Sequence, residues 1–376
     1  MRQVVRFAAT PAGPVAYAVT GSGPPLLCVP GWVSHLGLMW DDPAHRRFFE
    51  ALSQRHTVIR FDKLGCGLSD RARTDFTMES ELTVLKALIG HLGLERFALF
   101  GSCDGGQVAA AYAASNPDAV TRLIVYGSCA RGADLAPPDV RHSVPALVRA
   151  HWGLGSRVLA DIWFPDAPAE VTGMFARMQR AAATAEMAAE LLEMFYRFEV
   201  ADLLPTIRVP TLVAHRRGSR AIPFELGREM AALIPGAQLA AFEGRAQPIY
   251  AVGGEAAAAT VRSFLGDEPR PASDAPAPVG PGARSAGPVP VGSGARSAAP
   301  APVGPGARAA DGPLTAREFE VADLIADGLT NAEVAKRLGL SVRTVDAHVE
   351  HIRVKLGVRA RTQIAVWARV GSLPAR

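Results

Sequence analysis

A twelve-residue unit recurs three times in this chain: PAPVGPGARSAG from Pro276, PVPVGSGARSAA from Pro288 and PAPVGPGARAAD from Pro300. Proline lacks a backbone donor and glycine loses the most entropy on ordering, so this density of both disfavours helix and sheet. Residues 267–312 contain no aromatic side chain and only valine as a large apolar group. That is too little to seed a core or to stack as a solenoid, and the segment reads as a semi-extended tether. It divides the 376 residues into two folding units, 1–266 and 313–376.

The large unit alternates short apolar runs with helical patterns. PLLCVPG, HTVIRFD, RFALFGS, RLIVYGS and PTLVAHR suit buried parallel strands; RRFFEALSQ, ESELTVLKALIGHL, GGQVAAAYAAS and LGREMAALI suit the helices between them. Such alternation predicts a doubly wound α/β sheet. Residues 131–206 fall between two strand signals and are expected to form a helical cap. No apolar run reaches membrane-spanning length, and MRQVVRFAATPAG lacks the apolar segment of a secretory signal, so no membrane partner and a cytoplasmic location are expected. The four cysteines are scattered without a C-x-x-C pair, which argues against a disulfide framework or a zinc site. Neither a metal nor a cofactor is expected.

Within RFALFGSCDGGQVAAAYAAS an apolar run, a glycine turn and an alanine-rich helix follow one another. This is the form of a nucleophile elbow, G-x-S-x-G, with Cys103 at the nucleophile position. With VPGWVSHL, FDKLGCGLSDR and VAHRRGSRAIP, residues 1–266 resemble the α/β-hydrolase fold, in particular hydrolase-like domains fused to bacterial signalling modules. The resemblance implies an acid after PTLVAHR, where Gly218-Ser219-Arg220 puts Ser219, and a histidine after a further strand, where Gly244-Arg245-Ala246-Gln247 puts Gln247. Glutamine cannot take a proton from a thiol. His35, His151 and His215 are the candidate surrogate bases. The expectation is a domain without catalytic residues, its triad positions degenerate.

A pocket survives such a loss. The family's oxyanion-hole positions correspond to the amides of Trp32 and Asp104, and Cys103 and Gln247 would form the floor. Met39, Trp40, Trp152, Trp163, Phe164, Met174, Phe175, Met178, Phe195 and Tyr196 are candidates for an apolar lining, about a third of the cap members touching ligand and the rest packing the cap down. Arg216 and Arg220 either counter an anionic ligand or lie in solvent.

The last segment carries most of the charge excess. Residues 313–376 hold ten Lys/Arg against seven Asp/Glu, three of the chain's four net positive charges. Thr315 with Glu318 and Thr330 with Glu333 are capping boxes, Gly339 closes a helix, and Ser341 opens the next. In that last helix Val345, Val349, Ile352 and Leu356 share one face, leaving Arg343, Asp346, Ala347 and Glu350 on the other. A small all-α helix-turn-helix follows. The stretch LTAREFEVADLIADGLTNAEVAKRLGLSVRTVDAHVEHIRVKLGV resembles the LuxR/GerE-type DNA-binding domain. The resemblance implies a recognition helix at 342–356, with Asp346, Ala347 and Glu350 toward bases. It implies Asn331, Arg337, Ser341, Arg343, Thr344, His348 and Lys355 toward phosphates.

The combined expectation is an α/β-hydrolase fold with a helical cap, joined by a Pro/Gly/Ala-rich linker to a helix-turn-helix. Such a chain would be a one-component transcriptional regulator with double-stranded DNA and a small, largely apolar molecule as partners, dimeric through the large unit. Two other readings stay open: a cysteine-dependent hydrolase that also binds DNA, and a redox or electrophile sensor working through Cys103.

Overall fold

Eight strands pair into one sheet in the order β1-β2-β4-β3-β5-β6-β7-β8. They are β1 (Val5–Ala8), β2 (Val15–Thr20), β3 (Pro25–Val29), β4 (Thr57–Phe61), β5 (Phe97–Ser102), β6 (Val120–Tyr126), β7 (Thr211–Arg216) and β8 (Gln238–Phe242). The pairings β1–β2 and β2–β4 are antiparallel, and the rest are parallel. The five apolar runs of the sequence become β3 to β7. Helices cover both faces of these strands, which is why they read as continuous runs without polar alternation. Strand β1, partly exposed at the sheet edge, and the short buried β2 (VAYAVT), which pairs antiparallel with β1 and β4, were not among these runs. The computed structural model describes residues 3–266, 314–326 and 329–356, with 361, 364 and 368 beyond them; the repeat segment 267–312 lies outside the described residues.

Helices α1 (Leu36–Asp41), α2 (Pro43–Leu52), α3 (Met78–His91) and α4 (Asp104–Ser115) follow the first strands. Four more, α5 (Pro138–Ala150), α6 (Trp152–Trp163), α7 (Ala169–Ala182) and α8 (Ala185–Arg197), make the cap between β6 and β7. Then come α9 (Phe224–Leu233) and α10 (Gly254–Leu265). One core joins α3, α4, α8 and α9 to Leu27, Leu99 and Leu123 of the sheet. A second lies between the opposite face and α2 with α10, around Leu26, Phe100 and Ile124. Arg149 of α5 ties the cap together on its surface through Glu186, Glu190 and Glu193 of α8.

The small unit comprises α11 (Ala316–Ala326), α12 (Asn331–Leu338) and α13 (Val342–Leu356). Val321, Ile325, Val334, Val345 and Ile352 form its core, joined by Ile364 and Ala368. Among the described residues, no helix is long and apolar enough to cross a membrane.

Candidate functional site

The elbow between β5 and α4 holds Cys103 at φ 53° and ψ −129°, a region that L residues rarely occupy. The turn is crowded: a Cβ on Gly31 would come within 3.0 Å of the Cys103 Cβ, and one on Gly105 within 2.3 Å of the Pro30 carbonyl oxygen. Glycine at these points lets the loop after β3 close over the start of α4, with the Trp32 amide following directly.

Two loops 28 residues apart bring Ser219 and Gln247 together beside Cys103. The Gln247 Nε2 donates to the Gly127 carbonyl at 3.2 Å and lies 3.8 Å from the Cys103 Sγ. Its Oε1 accepts from the Ser219 hydroxyl at 2.5 Å, and the Ser219 oxygen accepts the Ile222 N–H at 3.2 Å. The loop itself is pinned: the Tyr126 hydroxyl donates to the Gln247 carbonyl, and the Gln247 N–H donates to Trp163 at the end of the cap helix α6, each at 2.7 Å. Arg216, almost fully buried, donates to the carbonyls of Glu243, Ile249 and Val252. It is therefore a backbone clamp for the Gln247 loop, while Arg220 is exposed. The three positions have the spatial sequence of a nucleophile, base and acid, but the group facing the sulfur is an amide donor. Burial and the neighbouring Asp104 push the Cys103 thiol up to about 12, so it stays protonated at neutral pH.

None of the three histidines considered as surrogate bases lines the cavity above Cys103. His35 caps α1, accepting the Leu38 N–H, and burial lowers it to about 3. His151 caps α6, and the ring of His215 bonds the Ile222 carbonyl oxygen at 2.9 Å.

Beneath the elbow lies a buried ion cluster that sequence reasoning missed. Lys63 pairs with Asp104 and stands 3.7 Å from Glu81, which in turn pairs with Arg73. Burial works against the Lys63 charge, but Asp104 and Glu81 outweigh it and raise its pKa. Removing one partner of a buried pair leaves an uncompensated charge. Lys63→Met is expected to lower unfolding stability by about 3–5 kcal/mol, read by urea denaturation. A loss under about 1 kcal/mol would mean that Asp104 finds another partner.

The cavity over Cys103 measures about 120 Å³. Met39, Cys103, Trp163, Phe175, Met178 and Gln247 line it, as do Arg60, His45 and Tyr250, which the sequence did not single out. Eight expected contacts stand outside its wall, those of the cap because it must bury its own apolar surface first. Trp32 donates its indole N–H to the Ala188 carbonyl, and Trp152 donates to Ala183; the two rings meet edge to face. Phe164 packs on Phe175, Phe195 packs behind Cys103 with Ile222, and Tyr196 borders the main core. Trp40 lies under the Arg60 guanidinium. The Asp104 carboxylate pairs with Lys63, whereas the expectation for Asp104 concerned its amide. Met174 is exposed.

In the small unit both capping boxes form, at Thr315–Glu318 and Thr330–Glu333, and Gly339 closes α12 at φ 63°. The Thr344 N–H donates to the Ser341 hydroxyl at the start of α13. Arg337, Ser341, Arg343, Thr344, Asp346, Ala347 and Glu350 are exposed, and His348 is half-buried. Four candidates for phosphate contact are engaged within the unit, the Ser341 and Thr344 hydroxyls with each other at 2.7 Å. Asn331 donates to Asp346 at 2.6 Å and accepts from Arg361, and Lys355 pairs with Glu318 at 2.7 Å. Arg343 is exposed and, among the described residues, has no side-chain partner. Arg343→Ala is expected to weaken binding to all sequences alike and to reduce the salt slope by about 1. Fluorescence anisotropy from 50 to 200 mM salt measures both; selective loss of one sequence would make it a base contact.

The model of the alpha/beta hydrolase fold family matches residues 24–247, and that of bacterial regulatory proteins of the luxR family matches 312–368. The chain is 34% identical over 109 residues to a soluble epoxide hydrolase of Corynebacterium sp. (strain C12), covering 29% of this chain and 36% of that protein. It is 44% identical over 55 residues to the oxygen regulatory protein NreC of Staphylococcus aureus, covering 15% of this chain and 25% of that one. The chain thus spans about a third of the length of the first curated relatives it matches. Among solved structures, the enol-lactonase from Burkholderia xenovorans LB400 superposes with a TM-score of 0.60 at 24% identity, over 69% of this chain and all (100%) of that one. An esterase from Thermogutta terrifontis does so with a TM-score of 0.58 at 27% identity, over 71% and 99%.

Proposed function

Because the chain belongs to the α/β-hydrolase fold family and carries a C-terminal LuxR-family helix-turn-helix domain, we propose that it is a one-component transcriptional regulator whose hydrolase cavity binds a small molecule without turning it over. The observation that carries this reading is the direction of the hydrogen bonds at Cys103: the Gln247 amide donates toward the sulfur, and Ser219 donates to Gln247. A working base must accept the nucleophile's proton and be held by an acid. Here neither group does so. The elevated thiol pKa also disfavours reaction with electrophiles, which require thiolate.

The cavity retains what recognition needs: an apolar wall from the cap and a few polar groups on the floor. On this reading a ligand that raises the melting temperature of the full chain also shifts its affinity for DNA selected from random sequence. The expected coupling is roughly 5- to 150-fold, the usual range between two sites on one protein. Anisotropy with and without the ligand tests it, and tight cavity binding that leaves DNA affinity unchanged sinks it.

A further inference from the structure

Arg60 is the penultimate residue of β4, paired in register with Cys28 of β3, and only 4% of it is exposed. A guanidinium in an apolar strand requires an anion to offset its desolvation. Among the described residues Arg60 has no salt bridge. Its Nη2 donates to the side-chain oxygen of Gln3, its face stacks on Trp40 at 4.1 Å and Phe49 at 5.0 Å, and its Nε meets no acceptor. Asp62, two residues along the strand, is occupied: its carboxylate accepts the amides of Leu36 and Leu68, each at 2.9 Å. His45 packs against Trp40, and its Nδ1 is also without a partner. Arg60 and His45 line the same cavity as Cys103 and Gln247.

The wall thus combines a buried cation that has the Asp62 carboxylate nearby but no direct ion pair with the apolar side chains of the cap. Burial lowers the Arg60 pKa only to about 10, so the charge persists at neutral pH. The volume of about 120 Å³ is close to that of an apolar cavity of roughly 150 Å³ that holds benzene. We propose that the cavity takes a monoanionic carboxylate of about benzoate size, its carboxylate paired with Arg60 beside His45 and its apolar body against Met39, Trp163, Phe175 and Met178. A dianionic phosphate fits this site worse, since one guanidinium would face two negative charges with Asp62 in the same wall. The proposal deepens the regulator reading and rests on its premise that the cavity binds ligand.

Calorimetry on the full chain at neutral pH tests it with benzoate, phenylacetate and hexanoate, each beside its primary amide. At least one acid is expected to bind tenfold or more tightly than its amide, and folded Arg60→Gln to bring the two to parity. If no acid is preferred in the natural chain, or if folded Arg60→Gln keeps the preference, the proposal is overturned. Should Arg60→Gln fail to fold, Arg60→Met, which removes the charge and keeps the apolar volume, takes its place: a lost preference supports the pairing, and an unchanged one overturns it. An acid that binds through Arg60 yet leaves DNA affinity untouched defeats the regulator reading alone. A neutral molecule that switches DNA binding with no dependence on Arg60 defeats the carboxylate alone.

Discussion

Ser219→Asp combined with Gln247→His is expected to create ester turnover where the natural chain has none above background. The two positions already hold the geometry of an acid and a base, with Gln247 Nε2 3.8 Å from the Cys103 Sγ and Ser219 hydrogen-bonded to Gln247. An imidazole at 247 would face the thiol, and a carboxylate at 219 would orient it and hold it as a base. A positioned general base contributes roughly 10²–10⁴-fold, so p-nitrophenyl acetate hydrolysis should rise by at least about 10². Cys103→Ala in the double variant should abolish the gain. In the natural chain the same substitution should change nothing, and turnover there that disappears with Cys103→Ala would falsify the regulator-without-catalysis reading. The pKa of Cys103 enters here too: burial and Asp104 hold it near 12, so the new imidazole must stabilise a thiolate against both. A modest rate in the double variant is the physical consequence, and Cys103→Ser on top of it separates thiolate supply from base function.

What the sequence made legible was local. Continuous apolar runs announced β3 to β7 because those strands are buried on both faces, and the caps announced α11 to α13 because a capping box closes within four residues. The elbow was legible because its glycines answer a close approach that any side chain would block. The triad positions followed from the resemblance to the α/β-hydrolase fold, carried at Gly218-Ser219-Arg220 and Gly244-Arg245-Ala246-Gln247. The cavity wall was not legible, because helical periodicity says that Trp152, Trp163, Phe164 and Phe175 point inward but not whether inward means core or cavity. Trp163 and Phe175 meet the cavity; Trp152 and Phe164 meet neighbouring side chains. The ion cluster joins Lys63 to Asp104 across 41 residues, and no local pattern spans that distance. Arg60 was not singled out, although a charge inside HTVIRFD needs an answer in a strand covered on both sides. Its meaning depended on the tertiary fact that α1 and α2 leave a cavity over that strand.

Isolated residues 313–376 are expected to bind DNA at least about 10²-fold more weakly than the full chain, since joining two binding modules raises avidity by roughly 10²–10⁴. This follows if the large units pair and hold two helix-turn-helix domains near one another. The segment 267–312, treated as a flexible chain, has a root-mean-square span of roughly 35–40 Å. Half-sites one helical turn apart are separated by about 34–36 Å, which is within that reach. On the regulator reading, a tether of this composition would transmit effective concentration and not a rigid rotation, and ligand would act by changing association of the large units or by releasing the small one. Deleting one repeat, residues 288–299, shortens the span only to roughly 30–35 Å and should leave ligand-dependent DNA binding nearly intact. Gel-shift titrations of the three proteins on one selected site, with sedimentation of each to record dimerisation, decide the matter. A single-repeat deletion that keeps ligand binding and dimerisation but loses the DNA response would make the repeats an ordered signalling element, and the effective-concentration account would fail.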